Sequence, residues 1–322
     1  MANAFRQSQI LFTAHGYNVF AVLEDARSAE EVARAIGCSV RGTTMLLDGL
    51  TALELVEKSG GHYRNAKVAS NCLVPGKPAY QGPILNHVRR SWDTWSQLPE
   101  SIRTGTGVKK GSHKPSSEEL RDFILGMSNI AFLSAPDLLE HIDISPFRRM
   151  LDVGGGPGTY TITFLKANPH LRATILDLPP VIEIAREQVA AAGLEDRVAF
   201  VPGDCTSADP GYGYDFALVS NVVHILSAEQ NAQLVQKCHA ALEPGGTLVI
   251  KDFLTDPDRS GPAFSLIFAL HMLLHTEAGG TYSTEEVRRW TDNAGFLPGA
   301  LKSLTPKTRL WVVRKPHEEG DR

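Results

Sequence analysis

The chain has 322 residues, 43 % of them hydrophobic, and a formal net charge of −4. That is enough for one large domain or two of ordinary size, and the balance of charge provides no global field toward nucleic acid or an anionic membrane. Four cysteines, at 38, 72, 205 and 238, form no CxxC pair, which argues against a cysteine zinc site and suits a reducing compartment. No run of about 18 apolar residues suggests a membrane span, and the first residues lack the apolar core of a signal peptide, so a cytoplasmic location is expected.

In chain order, Ser28-Ala-Glu-Glu31 is a capping box opening a short helix over Ala29–Ile36, which Gly37 stops. Ser39 caps a second helix, with Leu46, Leu47, Leu50 and Leu53 on one apolar face. Glu54–Lys58, a Ser-Gly-Gly turn and His62–Asn65 then predict a hairpin. Helix, turn, helix, hairpin is a winged-helix pattern. Between Ser39 and Thr51 the charged residues are Arg41 and Asp48 alone, whereas phosphate contacts need several basic groups. The module is therefore expected to serve packing or dimerisation, with no nucleic-acid partner. Residues 80–146 read as connecting helices, with Trp92 and Trp95 as core. The basic cluster Arg103, Lys109, Lys110 and Lys114 reads as a solvated loop.

From Arg149 onward, apolar runs at 149–153, 173–177, 198–201, 215–220, 247–252 and 309–314 alternate with helical stretches. That alternation predicts an α/β fold with a mainly parallel, doubly wound sheet. The first run enters Leu151-Asp-Val-Gly-Gly-Gly-Pro-Gly158, a glycine turn leading into a helix. Glycine lets a ligand approach the main chain closely. Alone, this loop allows a dinucleotide, a mononucleotide or no ligand. Asp177, at the end of the next run, can accept two hydrogen bonds from a ribose diol. His224 is expected to end the fourth strand, where an imidazole can take a proton from a hydroxyl. Ser227-Ala-Glu-Gln230 caps the helix that follows. Phe264, Phe268, His271, Met272 and His275 recur at helical spacing, and the two histidines share a helix face. With no HExxH glutamate they read as core or substrate-pocket residues, and no metal site is expected.

Several segments occur in a telling order: Leu151–Gly158, Asp177-Leu-Pro179, Gly203-Asp204, Asn221-Val-Val-His224, Leu242-Glu-Pro-Gly-Gly246, and Gly279-Gly280 through Ala294-Gly-Phe296. The set resembles the S-adenosylmethionine-dependent small-molecule O-methyltransferases of the caffeate and acetylserotonin type. The resemblance covers nearly the whole chain. It implies a Rossmann-like class I methyltransferase sheet of seven mostly parallel strands behind a winged-helix dimerisation domain, and hence a homodimer. It implies S-adenosyl-L-methionine as cofactor, with S-adenosyl-L-homocysteine as product. Gly154, Gly156 and Gly158 over Asp152 would cradle the methionine end. Asp177 would hold the ribose and Asp204 the adenine amino group. Cys205 stands where relatives place a larger side chain against the adenine. Leu178, Gly203, Ser220 and Asn221 would complete the cofactor lining, although Ser220 replaces a lysine of many plant relatives and inherits no role from it.

By the same resemblance His224 matches the catalytic histidine, which would deprotonate a phenolic hydroxyl. Its two usual glutamate neighbours become Asp252 and Tyr282, and Ile225 follows it where relatives have Asp or Asn. Phe268, His271, Met272 and His275 would line the acceptor pocket, and His15 and Tyr17 would reach a partner subunit's pocket. The expected divisions are a dimerisation domain over 1–80, a helical connector with pocket helices over 81–146, and a cofactor-binding domain over 147–316. The altered surroundings of His224 keep two alternatives open: methylation of a thiol or amine, and a non-methylating reaction on the same fold.

Overall fold

A computed structural model describes residues 2–107 and 116–317. Lys109, Lys110 and Lys114 of the basic cluster lie outside the described residues. The chain forms two compact units, Met1–Ser91 with Ser116–Asn129, and Trp92–Pro115 with Ile130–Arg322. Residues 81–146 are thereby shared between them.

The first unit opens with helices α1 (Phe5–Gly16) and α2 (Val19–Val22), a two-residue strand β1 (Arg27–Ser28), and helices α3 (Ala29–Ile36) and α4 (Val40–Ala52). The hairpin β2 (Val56–Ser59) and β3 (His62–Asn65) follows, then α5 (Lys67–Cys72), and α6 (Gly82–Trp95) begins here. The capping box holds as predicted: Ser28 accepts from the Glu31 amide while the Glu31 carboxylate accepts from the Ser28 amide. Gly60 and Gly61 turn the hairpin with φ of 55° and 79°, the double left-handed turn that matches strand twist. The short β1, invisible as an apolar run, pairs antiparallel with β3. Val19, Phe20, Leu23, Val32, Leu47, Leu50 and Tyr63 form the core. On α4, Val40 and Met45 stay exposed beside Arg41 and Asp48, so its outer face carries one basic group and one acidic one rather than a basic cluster. His15, expected to face a partner, is instead buried and hydrogen-bonds Asn86 at 3.1 Å within the same unit. Tyr17 is exposed.

In chain order there follow α7 (Leu98–Thr104), α8 (Ser117–His141), β4 (Arg149–Val153), α9 (Thr159–Ala167), β5 (Arg172–Asp177), α10 (Pro179–Ala191), β6 (Val198–Pro202), β7 (Tyr214–Ser220) and α11 (Ala228–Ala241). The chain then continues through β8 (Leu242–Asp252), α12 (Ala263–His275), α13 (Thr284–Ala294), β9 (Ala300–Ser303) and β10 (Arg309–Arg314). The seven strands of the second unit lie in the order β6-β5-β4-β7-β8-β10-β9. Those from β6 to β8 are parallel, and β10 runs antiparallel to both its neighbours. The predicted doubly wound sheet is thus present. The apolar runs marked six of its strands; β9, exposed at every position, has no such run.

One face of the sheet packs Leu151, Val219, Leu248 and Ile250 against α11 and α13 through Leu234, Val235, Val287 and Trp290. The other packs Met150, Phe216, Leu218 and Val249 against α9 and α10 through Phe164, Leu165, Ile182 and Val189. Strand order reverses between β4 and β7, and ligands of such sheets bind outside the carboxyl ends of the strands at that reversal.

Candidate active site

The glycine loop leaves β4 at the reversal. Gly154, Gly156 and Gly158 have φ of 63°, 56° and 78°, a region that side chains with a Cβ adopt at a cost of roughly 1–2 kcal/mol. A Cβ at Gly154 would stand 2.5 Å from Val222 Cγ2, so the loop after β4 meets the loop after β7. A Cβ at Gly156 would meet nothing within 4 Å, and the loop there opens onto free space. Beneath it Asp152 accepts from the Thr161 hydroxyl at 2.6 Å, and burial pushes its carboxyl up to about 7.

Asp177 ends β5 and ties this loop to the next helix. Its Oδ2 accepts the Gly156 amide at 2.8 Å and its Oδ1 the Leu178 amide at 2.7 Å. Each carboxylate oxygen keeps a second lone pair for a diol, and burial raises the group above the usual carboxylate range. Leu178, 49 % exposed, stands beside it at the start of α10. The Gly203 amide bonds the Asp177 carbonyl. Asp204 lies two residues past β6, exposed; its Oδ1 takes the hydroxyl and amide of Thr206, which lower its pKa, and Oδ2 remains for a ligand donor. Burial pushes the Cys205 thiol up to about 11, so it packs as a neutral group. Ser220 ends β7 with its Oγ buried and unpartnered among the described residues, and Asn221 follows at φ 57°. The open loop, a carboxylate placed for a diol and a second one for an amine fit a nucleoside with an amino-acid tail laid along β4, β5 and β6.

At the reacting end, His224 does not end β7 but lies beyond it, in a 3-10 turn over Val223–Ile225. The strand stops at Ser220 because Asn221 takes up left-handed geometry and turns the chain over the sheet edge. His224 is 8 % exposed, and its Nδ1 lies 2.7 Å from Asp252 Oδ1 at the end of β8. Because that oxygen also accepts the Phe253 amide at 2.8 Å, it serves as acceptor for Nδ1–H, leaving Nε2 its lone pair. Asp252 Oδ2 is buried with no partner among the described residues. The Ser227 and Gln230 capping box starts α11 directly after this turn, as predicted.

Tyr282 takes a different place. Its hydroxyl donates to the Leu226 carbonyl and its ring packs on Trp290 at 4.9 Å, rather than joining the imidazole and carboxylate. Together with the Gly280 amide, which bonds the His224 carbonyl at 2.9 Å, it braces the turn from behind. Tyr282→Phe is therefore expected to lower stability by about 0.5–1.5 kcal/mol, seen as a shifted urea midpoint, while kcat changes only a few-fold. A collapse of kcat without loss of stability would return the hydroxyl to the chemistry.

Beyond His224 runs a ladder of rings on α12. Phe268 meets the His224 ring edge-on at 5.1 Å, His271 stacks on Phe268 at 5.4 Å, and His275 on His271 at 4.0 Å. Met272, by contrast, is buried. Two side chains not foreseen join them: Phe253 lies 5.6 Å from His224 and 4.5 Å from Phe268, and Trp95 stacks over His271 at 6.2 Å. Trp92 and Trp95 are thus not core as expected; the first is 39 % exposed and the second lies over the ladder.

Comparison with known proteins agrees with this fold. Residues 1–75 match the O-methyltransferase dimerisation domain and residues 101–297 the O-methyltransferase domain. The chain is 33 % identical to the Streptomyces sahachiroi 3-hydroxy-5-methyl-1-naphthoate 3-O-methyltransferase, over 92 % of this chain and 87 % of that one. It is 30 % identical to the Streptomyces rimosus N,N-dimethyltransferase OxyT, over 97 % and 94 %. The structure of human N-acetylserotonin methyltransferase in complex with S-adenosylmethionine matches with a TM-score of 0.89 at 26 % identity, covering 98 % of this chain and 95 % of that one. The chain belongs to the S-adenosylmethionine-dependent O-methyltransferases, with the dimerisation domain of that family at its N-terminus.

Proposed function

We propose that the enzyme methylates a phenolic hydroxyl of a planar aromatic acceptor, with His224 as general base and Asp252 as its orienting partner. The observation that carries this reading is the 2.7 Å contact between His224 Nδ1 and Asp252 Oδ1 beyond the carboxyl ends of β7 and β8. When bound, S-adenosylmethionine supplies an electrophilic sulfonium methyl. His224 Nε2 draws the proton from the acceptor hydroxyl, which is a weak nucleophile until that proton begins to leave. Asp252 holds the imidazole in the tautomer that exposes Nε2 and stabilises the charge it gains. Phe253 and Phe268 flank the imidazole, and the mutually stacked rings of Phe268, His271, His275 and Trp95 form an aromatic wall against which a flat acceptor can pack. Gly154, Gly156 and Gly158 would seat the cofactor's tail, Asp177 its ribose and Asp204 its adenine, with Leu178, Gly203 and Cys205 around the nucleoside. The name of the Streptomyces sahachiroi relative specifies a ring hydroxyl, which supports the phenolic reading. The dimerisation domain and the lack of a basic cluster on the outer face of α4, where Val40 and Met45 are exposed, support pairing with a second copy of the chain rather than contact with nucleic acid.

Incubation with methyl-labelled cofactor and a matched panel of aryl hydroxyls, amines and thiols tests the reaction. Labelled aryl methyl ethers are the expected products. Label appearing in the amine or thiol adducts alone would overturn the phenolic assignment.

A further inference from the structure

The amino edge of the sheet, a strand's length from the glycine loop, takes no part in the mechanism above. Arg149 opens β4 and Arg172 opens β5, and the two are direct partners in the parallel register. Ala173 pairs with Val198 at the start of β6, so Arg197, one residue earlier, continues the same row. Three arginines thus stand at the heads of three adjacent strands, whose backbones are about 4.8 Å apart. Like charges so arranged repel one another. All three line one open cleft of about 270 Å³, with Thr174, Asp196 and Tyr214 also on its walls.

The bonding of these arginines fixes them without cancelling their charge. Arg149 Nη2 donates to the Tyr212 carbonyl at 3.3 Å, and its guanidinium lies 5.5 Å from the centre of the Tyr214 ring. Arg172 Nη1 donates to the Asp196 carbonyl at 2.9 Å. Arg197 spends Nε and Nη2 on the carbonyls of Leu171 and Asn168, which leaves Nη1. None of the three pairs with a carboxylate among the described residues. Of the acids at this edge, Asp215 accepts the Arg148 and Arg149 amides, Glu243 accepts the Tyr212 hydroxyl, and Asp196 lines the cleft. Tyr212 precedes β7 and Asp196 precedes β6, on opposite sides of the β4–β5 pair, so Arg149 and Arg172 lean apart and flank the gap. A guanidinium presents its donors as a planar fork that suits phosphate oxygens two at a time. One phosphate offers three such oxygens and up to two charges, but guanidiniums that lean apart are spanned better by linked phosphates than by a single one. We propose that this cleft is a second ligand site, which takes a chain of two or three phosphates, free or as the tail of a nucleotide.

Calorimetric titration at low salt tests this with inorganic tripolyphosphate as the probe. It is expected to bind at least about tenfold more tightly than orthophosphate, since more charge-assisted hydrogen bonds form. Arg149→Gln and Arg172→Gln should each weaken it by about tenfold or more, and the double variant should lose it, while S-adenosylhomocysteine binds all three variants as it binds the parent. No binding to the parent, or equal binding to the double variant, would overturn the proposal. Citrate binding as tightly as tripolyphosphate would overturn the phosphate assignment. Adenosine triphosphate, titrated beside tripolyphosphate, separates the two sources: equal affinity supports a site that reads phosphates alone, and tighter binding one that also reads the nucleoside. The unaltered enzyme gives a second measurement should the variants not fold. Saturating S-adenosylhomocysteine is expected to leave the tripolyphosphate affinity unchanged, and competition between them would put the anion in the cofactor crevice and refute the site. None of these outcomes depends on His224 or on the identity of the methyl acceptor.

Discussion

His224→Ala is expected to lower kcat by on the order of 10²–10⁴-fold, the contribution of a positioned general base, while S-adenosylhomocysteine binds with unchanged affinity. The second half follows from placement: the glycine loop, Asp177 and Asp204, proposed to hold the cofactor's tail and nucleoside, lie at the ends of β4, β5 and β6, whereas the imidazole lies past β7 and bonds Asp252 of β8. The deficit should also depend on pH in a particular way. A phenol with a pKa near 10 ionises unaided as that pH is approached, so the variant should regain ground there relative to the parent. A histidine that merely lined the pocket would give a deficit independent of pH. Turnover of labelled cofactor from neutral to alkaline pH, with calorimetric binding at each end, distinguishes the two. A variant as fast as the parent at neutral pH would remove His224 from the chemistry.

Most of the framework was legible because it rests on local rules. Ser28, Ser227 and the glycines after β4 do the same work in a short peptide as in the folded chain, so their reading from sequence and their structure coincide. The parallel strands are buried on both faces and therefore appear as apolar runs, while β9, at an exposed edge, does not. The positions of the acidic residues expected to face a cofactor were legible for the same reason, since Asp177 ends β5 and Asp204 lies two residues past β6. The acceptor half of the site depends on contacts far apart in sequence. Nothing near Tyr282 shows that its hydroxyl is taken by the Leu226 carbonyl, and nothing near Trp95 shows that it stacks on His271. Nor does the sequence show that the strand stops short of His224, because that depends on the left-handed turn at Asn221.

Asp252→Ala is expected to cost about 10²–10³-fold in kcat, within the range set by the base it serves, and the loss should not add to that of His224→Ala. Removing the carboxylate frees the imidazole to adopt the other tautomer and withdraws the charge that would stabilise its protonated form. It also strips an acceptor from the Phe253 amide, so the ring against His224 loses its anchor. Asp252→Asn is the milder change. An amide oxygen at the Oδ1 position can still accept both Nδ1–H and the Phe253 amide, which keeps Nε2 free, while the amide nitrogen enters the buried position where Oδ2 now has no partner. The asparagine variant should therefore retain more activity than the alanine variant, with the difference measuring orientation and the remainder measuring charge. In the double variant His224→Ala/Asp252→Ala there is no imidazole left to orient, and its rate should fall within a few-fold of His224→Ala alone. Losses that multiply would mean that Asp252 acts on the reaction by a route that does not pass through His224.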